Sequence, residues 1–182
     1  MKKSTTYLSL GSNIGDRTNN LKNAINSIEN LVGKVNKISK FYENPAVGFD
    51  GNSFVNICVE VVTHLSPNEL LNTLLNIEDE YGRKRIKSGE YISRIIDIDI
   101  IFYENLSINQ NGLVIPHPRM HSRHFVLIPM CDLNPNFIHP VLRLKTSQLL
   151  DQLETRGDIV DINFSLEDWK SAISIFLLLL KY

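Results

Sequence analysis

The sequence predicts an α+β domain: an antiparallel sheet with helices on one face and the active site on the other. Three observations predict it. Apolar patterns follow one another as strand, helix, strand, strand, helix, strand, without internal repeat or low-complexity linker. The run Arg94-Ile95-Ile96-Asp97-Ile98-Asp99-Ile100-Ile101-Phe102-Tyr103 sets two carboxylates inside a β-branched, apolar stretch. Side chains alternate along a strand, so Asp97 and Asp99 take one face and Ile96, Ile98, Ile100 and Phe102 the other. Residues 54–62 alternate as well: Val55, Ile57, Val59 and Val61 on one face, Phe54, Asn56, Cys58 and Glu60 on the other.

Taken in order, the first strand covers 5–10 and runs into Gly11-Ser12-Asn13-Ile14-Gly15-Asp16. That loop lacks the Walker lysine pattern and reads as a tight turn into a helix. Leu21, Ala24, Ile25, Ile28 and Leu31 have helical spacing, with Gly33 as the stop. Residues 34–43 form a second strand, broken by Asn44-Pro45 and a loop to Asn52. After the strand at 54–62, Ser66 caps a helix with Pro67 in its first turn and Glu69 completing a capping box. Its stripe is Leu70, Leu71, Leu74, Leu75 and Ile77, and Gly82 ends it. A basic loop leads into the aspartate strand, a short hairpin follows around 109–112, and a short helix covers 122–131. This order is that of a ferredoxin-like domain, in which both helices cover one sheet face. Phe54, Asn56, Asp97 and Asp99 then share the uncovered face.

A net charge of −1 gives no global reason to expect a nucleic-acid partner. The apolar stretch 173–180 is far shorter than the roughly 20 residues a membrane helix needs. Cys58 and Cys131 are isolated, as buried thiols in a reducing compartment would be, so a cytoplasmic protein is expected. One domain is assigned to residues 1–160, with a helical extension at 161–182. Leu166, Trp169, Ile173, Phe176 and Leu180 give the extension a stripe that either packs on a monomer or makes a dimer contact.

Two carboxylates this close repel unless a cation or a shared proton relieves them. Magnesium is the natural occupant, since it takes oxygen ligands and keeps positions for substrate phosphate. Arg83, Arg85 and Arg94 precede the aspartates; Arg119 and Arg123 follow. Guanidinium groups match phosphate oxygens, and His117 is held between two prolines. Such a set suits phosphoryl transfer, where the protein positions groups and neutralises charge. The plain alternative is a half-exposed strand whose aspartates pair with arginines, with other arginines meeting Glu78, Asp79, Glu80 and Glu90. A magnesium-dependent nucleotidyltransferase and a non-catalytic small-molecule sensor are the competing functional classes.

The motifs Leu8-Ser9-Leu10-Gly11-Ser12-Asn13, Phe41-Tyr42-Glu43-Asn44-Pro45, Phe54-Val55-Asn56, Gly82-Arg83-Lys84-Arg85, Arg94-Ile95-Ile96-Asp97-Ile98-Asp99 and Ile115-Pro116-His117-Pro118-Arg119-Met120 stand in this order. Together they resemble the 6-hydroxymethyl-7,8-dihydropterin pyrophosphokinases of folate biosynthesis, over roughly residues 5–140. The resemblance implies transfer of pyrophosphate from ATP to the pterin hydroxymethyl group, releasing AMP. It implies two magnesium ions on Asp97 and Asp99, and Arg83 and Arg94 in loops that act in catalysis. Glu78, Arg85, Ile98, His117 and Arg123 match ATP-side positions; Asn44, Pro45, Val47, Phe54, Asn56 and Phe125 match the pterin side. Departures are Tyr91-Ile92-Ser93 in place of an aromatic-Gly-Pro run, Phe54 in place of a tyrosine, and Gly112 in place of a longer side chain.

Overall fold

The computed structural model describes residues 2–48, 50–82, 93–110, 112–153 and 158–163. Its central strand, β1 (Ser4–Ser12), pairs antiparallel with β4 (Phe54–Thr63) and β5 (Asp97–Tyr103). β2 (Gly33–Ile38) and β3 (Tyr42–Asn44) both pair antiparallel with β4, and β8 (Val160–Asp161) closes the outer edge on β3. The hairpin forms as β6 (Ile108–Gln110) and β7 (Leu113–Ile115).

The single strand expected over 34–43 is two strands. Between them the Ser39 hydroxyl accepts the Cys58 N–H at 2.9 Å and donates to the Lys40 carbonyl. A side-chain oxygen thus stands in for a ladder carbonyl, and the run is interrupted there.

Helix α1 (Arg17–Leu31) is capped by Asp16, whose carboxylate accepts the Asn19 N–H. Helix α2 (Pro67–Glu80) has the Ser66/Glu69 capping box the sequence specifies. Both lay their apolar sides on one sheet face, where Leu21, Ile25, Ile28, Leu70, Leu74 and Ile77 meet Leu8, Leu10, Val55, Ile57, Val59, Val61, Ile98 and Ile100. Glu78, outside the expected stripe, is also fully buried.

Helices α1 and α2 share one face as expected, but the opposite face is not left wholly to the site. Helices α3 (His124–Leu133) and α4 (Thr146–Asp151) build a second core on the opposite face, with Tyr7, Cys58, Ile101 and Phe102. The cause lies in β5. Tyr7 pairs with Phe102 and Leu8 with Ile100, so Ile101 is an extra residue in the β1–β5 ladder. Such a bulge resets the alternation. Phe102, expected beside Ile98 and Ile100, therefore turns to the α3 side and gives that face an apolar half that must be covered. Asp161, placed at the start of the helical C-terminal extension, lies in β8, and Ile162 and Asn163 after it are not helical; the helical reading from 164 on falls outside the described residues.

Candidate active site

The uncovered half of the second face is the end where β1, β4 and β5 carry polar residues. Asp97 stands opposite Gly11 and Asp99 opposite Ser9; Gly11 in turn faces Asn56, and Asn56 faces Tyr42. Gly11 is required by close approach: a β-carbon there would lie 2.7 Å from Asn56 Oδ1. With hydrogen at that position the Asn56 amide can lean across β1. Its nitrogen donates to Asn44 Oδ1, while Asn44 Nδ2 donates to the Pro45 carbonyl at 2.8 Å. Among the described residues nothing donates to Asn56 Oδ1, which leaves an oriented acceptor for a ligand.

These groups line a cleft of about 580 Å³. Its walls bring together ten of the residues singled out in the sequence: Asn44, Pro45, Val47, Phe54, Asn56, Arg94, Asp97, Asp99, Arg123 and Phe125. The volume suits a drug-sized ligand, and the mixture of apolar wall with a few fixed polar groups is typical of such sites.

At the acidic end, Arg94 Nη1 lies 2.7 Å from Asp97 Oδ1. Arg123 Nη1 is 3.9 Å and His117 Nε2 3.7 Å from Asp99 Oδ2. Arg123 also stands over the Phe125 ring, its guanidinium carbon 5.3 Å from the centroid, so one cation joins the carboxylates to an aromatic wall. Burial, reinforced by Arg123 and Arg119, pushes the His117 pKa down to about 4. The ring is neutral at pH 7, and its approach to Asp99 is not an ion pair. Nδ1 accepts the Arg119 N–H at 3.2 Å, which assigns the proton to Nε2, on the side of Asp99.

Glu78 and Ile98 sit behind the aspartates rather than on the cleft wall. Glu78 Oε1 accepts the Ile98 N–H at 2.8 Å, tying α2 to β5 between Asp97 and Asp99, and Ile98 packs toward α1 and α2. His117 is likewise off the wall, reached through Asp99. Arg83 and Arg85 lie outside the described residues.

Asn13 is a functional candidate that pattern reading passed over. It is buried; its Oδ1 accepts the Arg94 N–H at 2.7 Å and its Nδ2 donates to Ser93 Oγ and the Asn52 carbonyl. One amide thus fixes the backbone of Arg94 to β1 and to the loop before β4. In the sequence it closes the Leu8–Asn13 motif and otherwise shows only as an Asn in a strand-to-helix turn, a common place for one. Ser9, Ser122, His124, Asp158 and Ile159 also line the cleft.

The family model for 7,8-dihydro-6-hydroxymethylpterin-pyrophosphokinase matches residues 7–135. The chain belongs to this family. The pyrophosphokinase of Aquifex aeolicus is 41% identical over 141 residues, covering 76% of this chain and 86% of that one. That of Synechocystis is 38% identical over 146 residues, 80% of this chain and 74% of that one. The folic acid synthesis protein FOL1 of Dictyostelium discoideum is 39% identical over 158 residues, and there the chain spans 86% of its own length but 23% of the relative's. Among solved structures, wild-type Plasmodium falciparum HPPK-DHPS with pteroate superposes at a TM-score of 0.68 and 18% identity, over 83% of this chain and 42% of that one, a likeness of fold. As a member of this family the chain is an ATP-dependent diphosphotransferase of folate synthesis, with ATP and hydroxymethyldihydropterin as substrates. Among the described residues no helix is long and apolar enough to cross a membrane.

Proposed function

We propose that the cleft carries out pyrophosphoryl transfer with the pterin at its Asn56–Phe125 end and the ATP phosphates at its Asp97–Asp99 end. The observation behind this reading is that one sheet face holds both chemistries: an oriented amide beside aromatic rings, and two carboxylates beside arginines. Transfer of pyrophosphate with release of AMP requires the hydroxymethyl oxygen to attack the β-phosphorus while the bond to the α-phosphate oxygen breaks. The reacting phosphorus must then lie between the two ends.

Asp97 and Asp99 are the residues that would hold magnesium. Among the described residues no cluster of three or more side chains could cage a metal. A pair of carboxylates with room for waters and phosphate is the donor set magnesium favours. When bound, two ions would neutralise charge on the bridging and transferred phosphate oxygens. Arg94 and Arg123 exchange part of their hold on the carboxylates for phosphate oxygens, and neutral His117 offers its Nε2 proton without adding charge. Arg83 and Arg85, which precede β5 in the sequence, are the further cations proposed for the ATP phosphates. On the other end, Asn56 Oδ1 accepts from the heterocycle's N–H edge, Phe54 and Phe125 cover its faces, and Asn44, Pro45 and Val47 close the wall.

The strand order β5-β1-β4 followed by β2 and β3, with α1 and α2 on one face, supports reading the core as ferredoxin-like. The two free cysteines, Cys58 and Cys131, support a reducing, cytoplasmic setting. The test is product analysis with ATP, magnesium and 6-hydroxymethyl-7,8-dihydropterin. AMP should appear one-for-one with pyrophosphorylated pterin. ADP would mean simple phosphoryl transfer, and free pyrophosphate would mean nucleotidyl transfer; either result overturns the assignment.

A further inference from the structure

The family match ends at residue 135, yet the chain returns to the sheet beyond it. β8 pairs antiparallel with β3, Asp161 opposite Tyr42 and Val160 opposite Glu43. The Ile162 N–H donates to the Phe41 carbonyl at 3.1 Å, and the Ile162 side chain packs against the core under α1 and α2. This return segment is therefore anchored at its far end by backbone bonds and by apolar packing.

β3 is also the strand that delivers Asn44 and Pro45 to the cleft. Carrying the β3–β8 register past its last pair sets Ile159 beside Asn44 and Asp158 beside Pro45. All four residues line the cleft. In-register neighbours share a sheet face, so Ile159 stands on the face of Asn44, whose carboxamide in turn receives the Asn56 amide.

We propose that Ile159 and Asp158 are specificity-determining residues for the heterocyclic substrate, forming the outer wall of the pterin end; this rests on the pyrophosphokinase reading of the cleft. Ile159 is half-buried and supplies apolar surface for a flat ring. Asp158 is exposed at the mouth, where its carboxylate accepts from ring N–H and amino donors. The same charge repels phosphate, so the heterocycle is favoured at this end and the triphosphate at the end of Arg94 and Arg123. A segment beyond the matched region thereby decides which substrate enters which half.

The experiment compares full-length Ile159→Ala, Ile159→Val and Asp158→Asn with the parent chain. KM for hydroxymethyldihydropterin and for ATP is read separately by AMP release, and pterin binding directly by its own fluorescence. Loss of the Ile159 contact should raise the pterin KM about tenfold in the alanine variant, with valine near the parent. Asp158→Asn should raise it roughly threefold, as one hydrogen-bond acceptor loses its charge. The ATP value should stay within about twofold in each, since the phosphate end is untouched. An unchanged pterin KM would overturn the proposal, as would equal shifts for both substrates with a lowered melting temperature, which would make the segment a fold support alone. A parent chain that binds pterin more tightly than Ile159→Ala yet releases no AMP would refute the reaction and leave the wall standing.

Discussion

Replacing Asn13 with alanine should slow turnover without touching any group that meets substrate. The amide makes three bonds: Arg94 N–H to Oδ1 at 2.7 Å, and Nδ2 to Ser93 Oγ at 3.0 Å and to the Asn52 carbonyl at 3.2 Å. At about 1 kcal/mol net for each, with a buried amide group left short of a partner, the loss is about 2–3 kcal/mol. For a domain of this size that corresponds to a melting temperature lower by roughly 5–10 °C. Turnover should fall further than stability implies. Arg94 is held 2.7 Å from Asp97, and a displacement of about 1 Å in a positioning group can cost on the order of 10²-fold. The assay is kcat at saturating ATP and pterin, alongside a thermal melt, for Asn13→Ala and Asn13→Asp. Aspartate keeps the acceptor for the Arg94 N–H and loses both donations. It should recover much of kcat while remaining less stable than the parent. If both variants fold and aspartate is as slow as alanine, Arg94 is not positioned through this bond. An unchanged kcat in Asn13→Ala would refute the reasoning outright.

Three further outcomes follow from the same geometry. Asp97→Ala and Asp99→Ala should each nearly abolish AMP release while the far-ultraviolet spectrum and melt stay close to the parent; substantial activity in either would remove the metal assignment. Gly11→Ala places a β-carbon 2.7 Å from Asn56 Oδ1 and must push that amide aside, so pterin KM should rise about tenfold or more with ATP KM little changed. Equal effects on both substrates would mean that the amide does not read the heterocycle. His117 titrates from 6.5 unfolded to about 4 folded, so between these values the unfolded chain binds more protons. Its contribution is fully present above pH about 6.5, is lost as pH falls toward 4, and amounts to about 2 kcal/mol between pH 7 and pH 5. Denaturant titrations at those two pH values should show a smaller loss for His117→Gln than for the parent; identical losses would mean that the histidine is not buried neutral.

The elements legible in the sequence are those set by neighbours along the chain. The Ser66, Pro67 and Glu69 signals specify the start of α2, and the structure has both bonds of the box. Alternation puts Asp97 and Asp99 on one face, and the cleft has both. What the sequence withholds depends on a partner strand or on a single atom. The bulge at Ile101 is a property of the β1–β5 ladder, and nothing in the ten residues around it marks the extra one. The break at Ser39 comes from a hydroxyl that finds Cys58 across the sheet. β8 is two residues long, too short for any periodicity, and is recognisable only by its pairing with β3. Asn13 has no apolar pattern to stand out from; its role follows from meeting Arg94 and Asn52, far away in sequence.

The bulge has a functional consequence. Without it, Phe102 would face α1 and α2 beside Ile100, and the α3 side of β5 would lose its largest apolar group. With it, the second face divides into two halves. Tyr7, Cys58 and Phe102 make a dry half under Val126, Leu127 and Met130 of α3; Gly11, Asn56, Asp97 and Asp99 make an open half. The division runs between Cys58 and Asn56 on β4, and between Phe102 and Asp99 on β5. Helix α3 begins at that line. Its apolar middle is anchored in the dry half, and this holds Arg123 and Phe125, at its first turn, over the open half. A side chain that meets substrate is most exact when its own helix is packed elsewhere. The second core is therefore the support that places a guanidinium and an aromatic ring beside two carboxylates on β5.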